Sequence, residues 1–256
     1  MNRRIHRRSV LGFGLGLGAT VLAGCETPPS PAPAPPSAPN SPAVTSTSAR
    51  TAPSGPSGPA TQLVRAESGR PEIALTFHGA GELSITRRVL DVLARHGARV
   101  TVLAVGTWVA ATPDGVRMVR DGGHEVGNHT WSHGDLAGMT EGPMLTEIEK
   151  CRDRLDAVLG TPGTFFRPSQ GQYATPAELA EAAKAGYSQV LSYDVDSLDW
   201  QDAGADRIRK AVATARAGSV VSMHLGHPGT VAALPGVLAD LAGRGLRPVT
   251  ASQLFA

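Results

Sequence analysis

Only two cysteines occur in the 256 residues, Cys25 and Cys151. If the first is consumed by modification, the second has no partner within the chain. A fold braced by an internal disulfide is then excluded. The apolar, glycine-rich run 10–23 is shorter than the roughly 20 residues that cross a bilayer. A basic surplus is also missing once the first 24 residues are set aside. Four of the 24 Lys and Arg lie there and none of the 22 acids does, so a formal +2 becomes −2. Nucleic-acid binding needs a basic patch on the folded domain and is not expected. No internal repeat is evident. No phosphate fingerprint follows the first strand either, because Phe77-His78-Gly79-Ala80-Gly81 is too short for a dinucleotide loop.

What is present begins with an export signal. Arg3, Arg4, Arg7 and Arg8 form a basic head before the short apolar run. Arg7-Arg8-Ser9-Val10-Leu11 partly matches a twin-arginine signal, which leaves both export routes open. Leu22-Ala23-Gly24-Cys25 resembles the bacterial lipoprotein cleavage box. Residues 1–24 are then a signal peptide, and Cys25 carries lipid and anchors the chain to the membrane. An ordinary cleaved signal with a chance cysteine is the alternative. Residues 26–60 are almost wholly Pro, Ser, Ala, Thr and Gly. Nothing there offsets ordering entropy, so 25–65 is expected to be a disordered linker. The protein is expected to be an exported membrane lipoprotein facing the cell wall or periplasm.

Residues 66–256 are a single domain by size, long enough to bury a core. Strands are expected at 73–77, 99–105, 124–127, 164–166, 189–193, 219–223 and 247–250. Helices are expected at 85–95, 108–120 with a break near Pro113, 143–159, 176–185, 206–215 and 231–244. This alternation implies a parallel sheet with crossover helices, and either a barrel or an open doubly wound sheet fits it. Cys151 falls in an amphipathic helix and reads as a buried, inert thiol.

Polar residues gather where strands end. His78 follows the first strand, and His129 and His133 follow the third. Arg167 follows the fourth, Asp194, Asp196 and Asp199 the fifth, and His224 the sixth. In a parallel barrel those carboxyl ends meet at one rim, where chemistry is done. The spacing of four in His129-Thr130-Trp131-Ser132-His133 puts two imidazoles on one side of a helical turn, close enough to share a metal. Two histidines at a chance spacing are the alternative, since a pair lacks a third ligand. Neutral imidazole suits zinc and other late divalent ions. His124 precedes its strand and reads as a packing residue. His227 has the choice of opening or solvent.

These residues also carry a resemblance to the polysaccharide deacetylases of carbohydrate esterase family four, from about Ile73 to the C-terminus. Gly123-His124-Glu125-Val126-Gly127-Asn128-His129-Thr130-Trp131-Ser132-His133 resembles the family's histidine motif. Phe166-Arg167-Pro168-Ser169-Gln170-Gly171 resembles the arginine motif, with Gln170 where an aromatic is usual. Asp194-Val195-Asp196-Ser197-Leu198-Asp199-Trp200 is similar to the aspartate–tryptophan motif, and Gly218-Ser219-Val220-Val221-Ser222-Met223-His224 to the final strand. The resemblance implies an α/β fold, a distorted (β/α) barrel of about seven parallel strands. It implies removal of N-acetyl groups from a cell-envelope glycan such as peptidoglycan, with a divalent metal, zinc, as cofactor. Carried over by residue, His129 and His133 are metal ligands and His224 is the acid for the departing amine. Arg167 positions the site in a pair with Asp199. Trp200, Gln170 and Tyr173 contact substrate.

The first motif departs from the family. Thr76-Phe77-His78-Gly79-Ala80-Gly81 stands where the family has Thr-Phe-Asp-Asp-Gly-Pro, so His78 replaces the catalytic base and Gly79 a metal ligand. Two imidazoles alone make a weak site. One rescue makes His78 the third ligand, leaving the base to Glu82 or Asp135. Another makes His78 the base, with Glu82 or another rim carboxylate on the metal. The third is loss of catalysis. A deacetylase is the first expectation. A catalytically inactive glycan-binding or envelope-scaffold lipoprotein is the alternative, and a metal-binding envelope protein a further one.

Overall fold

The run Ile73-Ala74-Leu75-Thr76-Phe77 is buried on both faces, as a central parallel strand must be. It lies in β2 (Glu72–Gly79), around which the sheet is built. The computed structural model describes residues 58–256. The signal peptide expected at 1–24, the lipidation site Cys25 and the linker as far as residue 57 lie outside the described residues. The other strands are β1 (Thr61–Leu63), β3 (Thr101–Ala104), β4 (Glu125–Asn128), β5 (Phe165–Phe166), β6 (Gln189–Leu191), β7 (Val195–Asp196), β8 (Val220–His224) and β9 (Arg247–Val249). The helices are α1 (Leu83–Arg95), α2 (Gly106–Ala111), α3 (Pro113–Asp121), α4 (Glu141–Leu159), α5 (Pro176–Lys184), α6 (Ala205–Val212), α7 (Pro228–Gly243) and α8 (Ala251–Leu254).

The strand order is β1-β6-β5-β4-β3-β2-β8-β7, with β9 beside the first half of β2, and every strand pair is parallel. Among the described residues β1 and β7 end the path without pairing to each other. The expected barrel is therefore a half-barrel. Two of its strands were not expected, β1 and β7. The first falls inside the segment expected to be linker, which is a correction to the boundary at 65. Thr61 to Leu63 pair with Gln189 to Leu191, and Ala60 is buried. The open edge of β6 orders this segment through backbone hydrogen bonds, which side-chain composition does not report. The break near Pro113 is observed, with Pro113 opening α3, where its missing N–H costs nothing.

Alternation along β2 sorts its side chains. Ile73, Leu75 and Phe77 join the layer formed by Val89, Leu93, Leu234 and Leu238 of the helices. Ala74 belongs to the inner cluster with Leu103, Phe165, Leu191, Val220 and Val249, which fills the inside of the half-barrel. His78 shares that inner parity and Gly79 does not. A Cβ on Gly79 would come within 2.8 Å of Val102 Cγ1, a side chain of the outer layer. Cys151 is buried in α4 and donates to the Ala104 carbonyl at 3.3 Å. Burial pushes its thiol up to about 12, so it is inert as expected.

Candidate active site

Three histidines meet at the top of this inner face. His78 lies within β2, paired in register with Leu103 and His224, and not after the strand as expected. His129 follows the last residue of β4. One ring nitrogen from each of His78, His129 and His133 lies within 4.8 Å of the others. The His129 Nδ1–H donates to the Arg167 carbonyl at 2.9 Å in the tautomer that leaves Nε2 a free lone pair. That Nε2 is buried without a partner, and so is His78 Nδ1. Orphaned buried nitrogens are uncommon and call for an explanation. Burial, then the neighbouring imidazoles and Arg167, hold His78 well below the ordinary range. Burial and His133 do the same for His129, and burial with His224 lowers His133. All three are neutral at neutral pH, the form that binds metal. Three converging, unprotonated imidazoles, two of them with a buried unpartnered nitrogen, fit a late divalent cation.

The expected helical turn between His129 and His133 is not formed. The segment is a loop in which Thr130 (φ 64°) and His133 (φ 59°) are left-handed. That region is costly for a β-branched residue, so the surroundings must hold it. Asn128 Oδ1 accepts from the Thr130 N–H at 2.9 Å, and Thr130 Oγ1 bonds Ser169 Oγ at 3.2 Å. Asn128 is itself buried and donates to the Ile148 carbonyl and the Tyr187 hydroxyl. Four-residue spacing brought the rings together, 4.8 Å between centroids, by a kinked loop.

Beside the cluster lies a second unit. Asp199 is fully buried in a 3-10 turn (Asp199–Gln201). Its Oδ1 accepts from His224 Nδ1 at 2.7 Å. Its Oδ2 accepts from the His224 backbone N–H at 2.8 Å and from Thr230 Oγ1 at 2.6 Å. Burial pushes the carboxyl up, but the bonds from His224 and Thr230 outweigh it and hold the group below its usual value. The ionised Asp199 keeps the proton on His224 Nδ1. That leaves Nε2, on the other side of a ring 4.4 Å from His78, as the free nitrogen.

The expected Arg167–Asp199 pair is absent, a correction with a topological cause. Arg167 leaves β5 on the other side of β2 and spends its donors on β2 and on carbonyls at the end of β6. Nε bonds the Leu191 carbonyl at 2.6 Å, and the terminal nitrogens bond Thr76 Oγ1 at 2.9 Å and the Ser192 carbonyl at 3.3 Å. No carboxylate pairs with it among the described residues, and burial pushes it down to about 9. Arg167 acts on the site through its carbonyl on His129 and its contact with Thr76.

A pocket of about 390 Å³ opens above these groups, lined by His78, His133, Gln170, Gly171, Tyr193, Asp196, Trp200, Ser222 and His224. Gln170 and Trp200 are where substrate contacts were expected. Gln170 donates to the His133 carbonyl at 3.0 Å, and Trp200 is 50% exposed with its indole N–H on Asp196 at 3.2 Å. Tyr173 is 53% exposed and lies outside the lining. Glu82 and Asp135 are also outside it, and neither belongs to the histidine cluster, so the geometry brings neither to the site as a base. Glu82 precedes α1 and accepts from Ser84. Asp194 ties Ser219 Oγ and the Val220 N–H at the start of β8, a structural task. His124 is buried before β4 and pushed down to about 4 by burial and Arg99, a packing residue as expected. His227 precedes α7 and faces Asp202 at 3.3 Å. Thr76, Ser222 and Thr230 were missed. For the first two the signal was a hydroxyl two residues before a site histidine in an otherwise apolar strand.

The sequence profile of polysaccharide deacetylase matches residues 65–190. A peptidoglycan-N-acetylglucosamine deacetylase of Bacillus cereus is 34% identical over 188 residues, covering 72% of this chain and 87% of that one. A solved peptidoglycan N-acetylglucosamine deacetylase superposes with a TM-score of 0.71 at 29% identity, covering 76% of this chain and 92% of the other. A CE4 family pseudoenzyme from Bacillus anthracis shares the fold with a TM-score of 0.71 at 22% identity, covering 76% and 68%.

Proposed function

Because the chain belongs to the polysaccharide deacetylase family, we propose that it is a metal-dependent hydrolase that removes N-acetyl groups from a cell-envelope glycan containing N-acetylglucosamine, such as peptidoglycan. The observation that carries this reading is the convergence of three neutral imidazoles beside the His224–Asp199 pair, with His78, His133 and His224 lining one pocket. His78, His129 and His133 are assigned as ligands of a divalent ion, zinc, which three nitrogens with an open position suit. When bound, such an ion polarises an acetamide carbonyl and acidifies a water.

The residues of the chain do the remaining work. Gln170, Tyr193 and Trp200 shape the mouth into which a sugar ring enters. With His78 engaged as a ligand, three pocket groups remain for proton transfer, Tyr193, Asp196 and His224, and burial with Asp196 pushes the Tyr193 phenol up, away from use as a base. Both Asp196 oxygens already accept a donor, the Leu198 N–H at 2.8 Å and the Trp200 indole at 3.2 Å, which weakens this carboxylate as a base without filling its lone pairs. His224 Nε2 is free. It therefore takes the proton from the attacking water and returns it to the amine as the C–N bond breaks, giving acetate and a free amino sugar. Asp199 keeps that imidazole in the working tautomer and stabilises its charged form, and Thr230 orients Asp199.

A second reading, an inactive glycan-binding lipoprotein, is favoured by the lack of a carboxylate in the histidine cluster. Metal content of the purified full chain and acetate release from N-acetylglucosamine oligomers and peptidoglycan decide between them. The deacetylase reading expects bound zinc and acetate, both lost in His129→Ala. Glycan retention without acetate supports the binding reading. For location, the 22–25 cleavage box supports an exported lipoprotein anchored through Cys25. Fatty-acid labelling in cells tests it. Label that persists in Cys25→Ser, or never appears, rejects the anchor.

A further inference from the structure

The two nitrogens of His78 have different surroundings. Nε2 lies 3.4 Å from Ser222 Oγ, a long hydrogen bond. Nδ1 is buried and has no partner. We propose that Ser222 is a positioning residue, whose hydroxyl accepts the Nε2–H of His78 and so presents Nδ1, not Nε2, to the metal. This inference rests on the metal-dependent reading above and goes beyond it by assigning the ligand atom and its support.

Three observations carry it. Ser222 stands in β8 among Val220, Val221 and Met223 and is 1% exposed. A hydroxyl buried there needs a partner, and His78 Nε2 is the only one its oxygen has among the described residues. The neighbouring hydroxyl is already committed. Thr76, directly opposite Ser222 in the β2–β8 register, donates to the Val221 carbonyl at 2.7 Å and accepts from Arg167. The third observation is the parallel with His129. There a carbonyl takes Nδ1–H and frees Nε2, while at His78 a hydroxyl lies within hydrogen-bond reach of Nε2 and Nδ1 has no partner. Metal-bound imidazoles are held this way by an acceptor on their other nitrogen, which fixes the tautomer and ring orientation. Nδ1 is two bonds from Cβ, the reach of an aspartate oxygen. A histidine within a strand therefore serves a cluster sitting close above the sheet.

The test uses the metal-free full chain, titrated with zinc against a chromophoric chelator, and the visible spectrum of the cobalt-loaded protein. Ser222→Ala is expected to weaken zinc binding by about 10-fold or more and to alter the cobalt bands. Ser222→Thr, which keeps the hydroxyl, is expected to stay within about threefold of wild type on the same scale. His78→Asn puts an amide atom where Nδ1 lies, and His78→Gln puts one where Nε2 lies, so Asn is expected to retain the tighter binding. Wild-type affinity and an unchanged cobalt spectrum in a folded Ser222→Ala would overturn the proposal. Gln binding as tightly as Asn would also overturn it, and this pair still decides if Ser222→Ala does not fold. Failure of the wild-type chain to bind either ion overturns the metal reading itself and is distinct from both results.

Discussion

Asp199→Asn tests the proton chemistry without changing the size of any side chain. In the wild-type chain Oδ2 accepts two donors, the His224 backbone N–H and Thr230 Oγ1, and Oδ1 accepts one, His224 Nδ1–H. An asparagine has one accepting atom, and keeping the two bonds at the Oδ2 position puts it there. The NH₂ then occupies the Oδ1 position, 2.7 Å from His224 Nδ1. Two donors cannot face each other, so Nδ1 gives up its hydrogen and the proton moves to Nε2. The pocket-facing nitrogen loses its lone pair and cannot accept a proton from water. General acid–base catalysis contributes about 10²- to 10⁴-fold, so kcat is expected to fall by that factor, or about 3–5 kcal/mol. The assay is acetate release at saturating N-acetylglucosamine oligomer. Zinc content and melting temperature are measured on the same preparation. A kcat within about threefold of wild type would refute the assignment of His224 as the proton carrier. Loss of activity in step with loss of zinc would refute it too.

Gly79→Asp is expected to destabilise the fold without tightening zinc binding. Its Cβ would meet Val102 Cγ1 at 2.8 Å and the Ala104 backbone at 3.1 Å, overpacking that costs about 1–3 kcal/mol. The melting temperature should drop by several degrees, at about 2–4 °C per kcal/mol for a domain this size. An unchanged melting temperature with tighter zinc would show that residue 79 reaches the site after all. The metal-free protein should lose stability as pH falls below 6.5, the unfolded histidine value. Burial depresses His78, His129 and His133 in the fold, so the unfolded chain binds more protons in that window and stability rises with pH. His124, at about 4, acts with the same sign. Thermal melts from pH 7.5 to 5 check this, and a flat or rising trend toward acid would contradict the neutral cluster. Trp200→Ala is expected to raise KM for the oligomer several-fold with little change in kcat, because an exposed indole contributes stacking of about 0.5–1.5 kcal/mol. A kcat effect alone would place Trp200 in the chemistry and not in sugar binding.

How much of the site was legible varies by residue. His78, His129, His133 and His224 were visible because parallel strands deliver their carboxyl ends to one rim, and four-residue spacing marked the pair. The loop between His129 and His133 was not visible. Its left-handed Thr130 is held by Asn128 and Ser169, contacts from other elements that local propensity does not report. The partner of Arg167 was misjudged because two motif residues of opposite charge invite pairing on paper. In three dimensions β5 and β8 stand on different sides of β2, and the guanidinium finds carbonyls and Thr76 first. Glu82 and Asp135 show a related effect: nearness in sequence to His78 and His133 brought them neither into the pocket lining nor into the histidine cluster.

Side-chain spacing and the positions of proline and histidine determined the α/β alternation, the helix break at Pro113, the burial of Cys151 and the set of imidazoles offered near the strand ends. Those are properties of single elements, set by side-chain spacing and backbone restriction. Tertiary structure decided the half-open sheet, the strand made by residues 61–63, the pairing of Asp199 with His224, and which nitrogen of His78 and of His129 is left bare. Each of these depends on what a neighbouring strand places within hydrogen-bond reach, and that neighbour is distant along the chain.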